Sequence, residues 1–150
     1  VGQAKTIHEA SLCTKAYKDL GYGKICFSYG ASYYNDVCPH PNKDLGKALG
    51  RLYVISALME MGDIRQDDRI HLLGCAVPQE FGWYKDINCI ESIDTSNPVM
   101  ATLDNQSYLD GGLYQKPKSN MNDHFHMMFD EVDFEILDHN LAMFKTINNL

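Results

Sequence analysis

The chain has 150 residues, enough for one domain with a sizeable core and too few for a closed eight-stranded α/β barrel of about 250 residues. An apolar share of 45% and a charged share of 22% exclude a disordered chain. A formal charge of -7 excludes a simple basic platform for nucleic acid, although a minority of Lys and Arg residues is enough to line one groove.

No apolar run reaches the roughly 18 residues of a membrane span and no secretory leader is visible, so a soluble, cytoplasmic protein without a membrane partner is expected. The start at Val1 rather than Met suggests a trimmed or partial chain. Cys13, Cys26, Cys38, Cys75 and Cys89 are odd in number and form no C-x-x-C pair. A disulfide scaffold or cysteine-rich zinc site is therefore not expected; most should be reduced and buried.

Ile7, Ala10, Cys13, Tyr17 and Leu20 recur at helical spacing, predicting a helix over residues 7 to 20, capped by Thr6 and ended by Gly21. Residues 24 to 28 (KICFS) read as a short buried strand emptying into Tyr29-Gly30-Ala31-Ser32. Residues 33 to 41, with two prolines, read as a loop. Asn42 then caps a long helix whose apolar face is Leu45, Leu49, Leu52, Ile55 and Met59, up to Gly62. Gly46 and Gly50 weaken that helix locally.

Residues 69 to 101 form the central stretch, with two short apolar runs. Ile70-His71-Leu72-Leu73 stops at Gly74; residues 87 to 93 (INCIESI) stop at Asp94-Thr95-Ser96-Asn97-Pro98. Such runs fit buried parallel strands, and Pro78 opens a short crossover helix over residues 78 to 84 between them. In strand, helix, strand units ligands bind at the carboxyl ends of the strands, where Gly74, Cys75 and Asp94 would lie.

Residues 99 to 105 begin a further helix, residues 106 to 123 read as an irregular insertion with a hairpin at Asp110-Gly111-Gly112, and a last helix runs from about Asp130 to the end. Its expected face is Phe134, Leu137, Leu141, Phe144 and Ile147. The fold class is thus α/β, with parallel βα units and two open sheet edges. The edges call either for a second copy or for the missing strands of a larger barrel.

Several motifs, in this order, resemble the tRNA-guanine transglycosylase superfamily of queuine and archaeosine tRNA-ribosyltransferases, including phage relatives that modify DNA. Residues 25 to 31 resemble the strand that ends in the base-recognition loop. Residues 70 to 78 (IHLLGCAVP) resemble the strand ending in a glycine turn and proline. Ser92-Ile93-Asp94-Thr95-Ser96 resembles the hydrophobic-Asp-Ser/Cys segment, with Ala101 echoing a later alanine. Residues 136 to 141 (ILDHNL) resemble the helix with a His-Asn-Leu signature.

The likeness covers nearly the whole chain and implies the last three strand-helix units of a (β/α)8 barrel, the remaining strands coming from the same gene or another chain. It implies exchange of guanine in tRNA or DNA for a 7-deazaguanine base. Asp94 would attack the ribose anomeric carbon, while Tyr29, Gly30, Ala31, Leu73, Gly74 and Cys75 line the base slot. The family's zinc-binding C-x-C-x-x-C segment has no counterpart between Pro98 and His139, so neither metal nor other cofactor is expected. The arginines that bacterial members carry after the nucleophile are replaced by Val99, Met100 and Thr102.

Local sequence alone would make Asp94 a turn or cap residue, because Asp-Thr-Ser-Asn-Pro is rich in capping types. A carboxylate also suits glycosyl transfer, since it stabilises and traps an oxocarbenium-like centre. His124-Phe125-His126 with His139 could form a metal cluster, but no acid or cysteine stands at telling spacing, so surface histidines are expected. Asp130, Glu131, Asp133 and Glu135 read as a solvated first helical turn. Trp83 and the tyrosines are expected to pack on the sheet rather than stack on bases. A non-catalytic barrel subunit that binds nucleic acid or a partner chain is the alternative function, and a different barrel enzyme a third.

Overall fold

The structure, a computed structural model, describes residues 4–128 and 132–149. Its elements in chain order are α1 (Ile7–Asp19), β1 (Ile25–Ser28), α2 (Tyr34–Val37), α3 (Lys43–Glu60), β2 (Ile70–Leu73), a 3-10 helix (Pro78–Tyr84), β3 (Ile90–Asp94), α4 (Asn97–Leu103), a 3-10 turn (Met121–His124) and α5 (Phe134–Asn148). The strands form one parallel sheet in the order β1-β2-β3. Mixed α/β architecture with parallel strands and intervening helices is therefore what the chain adopts. Among the described residues no helix is long and apolar enough to cross a membrane.

Side chains alternate across this sheet. Ile25, Phe27, Ile70 and Leu72 are buried and join Val54, Ile55 and Leu58 of α3 in the main core. The register sets Cys26 beside His71 and Ser92, and Ser28 beside Leu73 and Asp94. These residues occupy the other, less covered face. A register shift between Ile70 and His71 brings Ser92 rather than Glu91 next to the histidine.

Thr6 caps α1 by accepting the Glu9 N–H at 3.1 Å, and Asn42 caps α3 by accepting from Asp44 and Leu45. The loop expected over residues 33 to 41 contains the helical turn α2, whose Tyr34 is buried. That turn explains the glycines of α3. A Cβ at Gly50 would stand 2.2 Å from the Tyr34 carbonyl oxygen, so Gly50 lets the two backbones touch. The buried face of α3 is correspondingly displaced from the expected one: Ala48, Arg51, Val54, Ile55 and Leu58 are buried, while Leu45, Leu52 and Met59 are only partly so. One residue of displacement rotates a helix face by about 100°.

The last helix also departs from expectation. It begins at Phe134, with Asp133 accepting N–H groups from Glu135 and Ile136, so Asp133 is a cap rather than part of a solvated first turn. The expected start at Asp130, and Glu131, lie outside the described residues. Phe134 and Leu141 are exposed, and the buried side chains are Asn140 and Asn148. Asn140 accepts the Tyr108 N–H at 2.7 Å and donates to Thr102 Oγ1 and the Gln106 carbonyl. Asn148 accepts the Gly82 N–H at 2.7 Å and donates to the carbonyls of Pro78 and Phe144. None of the five cysteines is in a disulfide; Cys75 and Cys89 are buried, and Cys13, Cys26 and Cys38 are half-buried.

Candidate active site

The carboxyl ends of β1, β2 and β3 meet around Gly74. Its φ of +64° favours glycine, and a Cβ there would lie 2.5 Å from the Tyr29 ring, so a side chain is excluded twice over. The Gly74 N–H donates to Asp94 Oδ1 at 2.7 Å, and its carbonyl accepts from Arg51 Nη2 at 2.8 Å. Both polar groups of this residue are thereby tied, one to the candidate nucleophile and one to the interior.

Arg51 is wholly buried on α3. Its Nη1 also donates to the carbonyls of Phe27 and Leu73, both at 3.1 Å, while Nε and Nη2 lie 2.7 Å from Glu80 Oε1. Glu80, equally buried on the 3-10 helix, further accepts from the Tyr84 hydroxyl and the Ala76 N–H. Burial alone would drive the guanidinium toward its neutral form, but the Glu80 carboxylate outweighs it and holds Arg51 above its ordinary range. Burial and the same carboxylate push the Tyr84 phenol well up. The sequence reading missed this pair because the α3 face was drawn one residue out of phase. In phase with Ala48, Ile55 and Leu58, a lone arginine is the signal that would have found it.

Asp94 is exposed, its side chain 61% accessible, at the mouth of an open depression of about 460 Å3 lined by Ser28, Tyr29, Leu73, Gly74, Thr95 and Ser96. Against this lies a more enclosed cleft of about 190 Å3, sharing Tyr29, Gly74, Thr95 and Ser96 and extending to Cys75, Met100, Lys116, Pro117 and Met121. Its outer wall is the irregular segment after α4. The Lys116 N–H is held by Asp44 at 2.9 Å, and Lys118 and Ser119 by Asp104. Lys116 Nζ donates to the Tyr29 hydroxyl at 2.6 Å and lies 5.0 Å from the ring centre, at the ring's edge rather than over its face.

The structure therefore brings Asp94, Tyr29, Leu73, Gly74 and Cys75 to the two adjoining concavities. Gly30 and Ala31 line neither: the Gly30 N–H turns back to Ser28 Oγ, and Ala31 packs against the main core. The Cys75 thiol points to Thr95 Oγ1 at 3.1 Å and burial pushes its pKa up to about 12, which makes it a wall rather than a nucleophile. Family models, curated proteins and solved structures contain no match to this chain.

No cluster of three or more His, Cys, Asp or Glu side chains able to hold a metal occurs among the described residues. Two of the three histidines considered for one, His124 and His139, have other partners. His124 sits between Ser119 Oγ at 2.7 Å and Asp104, and His139 Nε2 meets the Tyr108 carbonyl at 2.9 Å. Trp83 packs on Ala48, Ala76 and Val77, and Tyr33, Tyr34, Tyr84 and Tyr108 are buried, whereas Tyr22, Tyr53 and Tyr114 are exposed.

Proposed function

We propose that this chain is part of a (β/α)8 barrel that exchanges guanine in tRNA or DNA for a 7-deazaguanine base, with Asp94 as nucleophile. The observation that carries the reading is the placement of Asp94: an accessible carboxylate at the end of β3, anchored through Oδ1 by the Gly74 N–H and flanked by Tyr29. Oδ2 has no partner among the described residues, which leaves it for the anomeric carbon.

In this reaction the bond from Asp94 Oδ2 to C1′ forms as the C1′–N9 bond breaks. The electron pair leaves on guanine, which takes up a proton from solvent. The incoming 7-deazaguanine base gives up its N9 proton to solvent and donates an electron pair to C1′ as the C1′–Oδ2 bond breaks, releasing the carboxylate. Tyr29 and Leu73 offer apolar surface to a flat base, and Lys116 is the cation of the cleft in a chain of net charge -7. The open edges of β1 and β3 are where further barrel strands would pair.

Radiolabelled guanine exchange into tRNA and into duplex DNA by the intact protein tests the proposal. Asp94→Asn keeps the shape and the Gly74 hydrogen bond, so nucleic-acid binding persists while turnover falls by about 10^4-fold or more. Full exchange by the Asp94→Asn protein, or binding without exchange by the native one, refutes the catalytic assignment.

A further inference from the structure

The open face of the sheet carries a second polar group within reach of Asp94. His71 lies between β1 and β3 in the register, beside Cys26 on one side and Ser92 on the other, with its side chain 20% accessible. Its Nδ1 is 2.8 Å from Ser92 Oγ. Its Nε2 faces Asp94 Oδ1 at 3.9 Å, on the same oxygen that accepts the Gly74 N–H. The charged groups at the amino end of the sheet, Lys24, Arg69 and Glu91, are tied to one another by ion pairs.

A neutral imidazole carries one N–H and one lone pair, and the bond at one nitrogen decides which nitrogen has which. With the Ser92 hydroxyl donating to Nδ1, the Nε2–H points at the Asp94 carboxylate. The opposite tautomer would set a lone pair against a negative charge. A hydroxyl rotates freely to either role, so the carboxylate selects the first arrangement.

We propose that His71 is a positioning residue, its ring held by Ser92 and its tautomer set by the Asp94 carboxylate, so that Nε2–H steers Asp94 Oδ1 toward the sheet and leaves Oδ2 presented outward. The 3.9 Å separation is an ion–dipole contact that tightens as charge returns to the carboxylate on release of the glycosyl bond. The Gly74 hydrogen bond and the His71 ring dipole at 3.9 Å both act on Oδ1, which leaves Oδ2 as the oxygen that bonds to the sugar. The catalytic part of this inference rests on Asp94 being the nucleophile; the tautomer does not.

Nitrogen-resolved NMR of the 15N-histidine-labelled intact protein reads the tautomer, with the His71 signals assigned by their loss in His71→Gln. Protonated Nε2 is expected in the native protein, with Asp94→Ala, which removes the selecting carboxylate, giving a mixture of tautomers. In guanine exchange His71→Phe lowers kcat by about 100-fold at unchanged KM for the nucleic acid. His71→Gln, whose amide nitrogen reaches the Nε2 position, recovers most of that loss. Trp83 fluorescence confirms that each variant is folded. A protonated Nδ1 in the native protein, or an undiminished kcat in His71→Phe, overturns the proposal. Absence of exchange by the native protein defeats the nucleophile reading instead, and the NMR result still decides the placement of His71.

Discussion

Replacing Arg51 by Met keeps the aliphatic stem and deletes the guanidinium from beneath the site. The change leaves the Glu80 carboxylate without its cation and the carbonyls of Phe27, Leu73 and Gly74 without their donor, all in a region where Arg51 and Glu80 are inaccessible to water. Removing one partner of a buried ion pair destabilises by about 3–5 kcal/mol. Against a total stability of about 5–15 kcal/mol, that is a large share. At this chain length each kcal/mol moves Tm by about 2–4 °C, so the midpoint should fall by about 6–20 °C. Urea titration followed by Trp83, the only tryptophan of the sequence and a residue of the same 3-10 helix as Glu80, measures it directly. The double variant Arg51→Met with Glu80→Leu orphans no charge, so it should recover part of the loss. A single variant within about 1 kcal/mol of the native protein, or a double variant no better than the single, would show that the pair does not hold the strand ends as argued.

Gly50→Ala should destabilise by about 1–3 kcal/mol despite the better helix propensity of alanine, because the added methyl meets the Tyr34 backbone. Gly23→Ala, with open space around it, serves as the control in the same titration; equal effects would refute the packing argument. The Glu91 carboxyl, held by hydrogen bonds from Arg69 and Lys24, is depressed from 4.5 to about 2. Because the folded value lies below the unfolded one, its contribution is full above about pH 4.5 and is lost as pH falls toward about 2. Glu91→Gln should therefore flatten this part of the Tm profile, by an amount that shrinks with added salt; an unchanged profile at low salt contradicts the assignment.

Much of the framework was legible because it depends on local signals. The apolar runs from Ile25, Ile70 and Ile87, the last forming strand only over Ile90–Asp94, the caps Thr6 and Asn42, and Pro78 at the start of the crossover each work within a few residues of chain. They placed Asp94 and Gly74 on neighbouring strand ends, where the register sets Asp94 opposite Leu73. The partners of the site were not legible in the same way. Lys116 reaches Tyr29 across 87 positions, and Arg51 reaches Phe27, Leu73 and Gly74 only once the sheet is formed. The α3 face was misdrawn because a charged residue at its centre hides the true phase. The glycines that weakened the helix on propensity are the points at which α2 comes close.

The attachment of α5 by Asn140 and Asn148 carries a consequence for how that helix can be altered. Their separation of eight positions spans about 12 Å of helix axis. A helix seated on an apolar stripe can slide by a turn and still find grease under it. One whose amides must meet Tyr108, Gln106 and Thr102 at one end and Gly82 and Pro78 at the other has a single longitudinal setting. Insertion or deletion of a full turn between the two asparagines would preserve the pattern of hydrophobic residues yet break the fit at one end. The helix is thus a ruler laid from the 3-10 helix to the segment beyond α4, and its length between those two positions is under tighter constraint than the identity of its outward side chains.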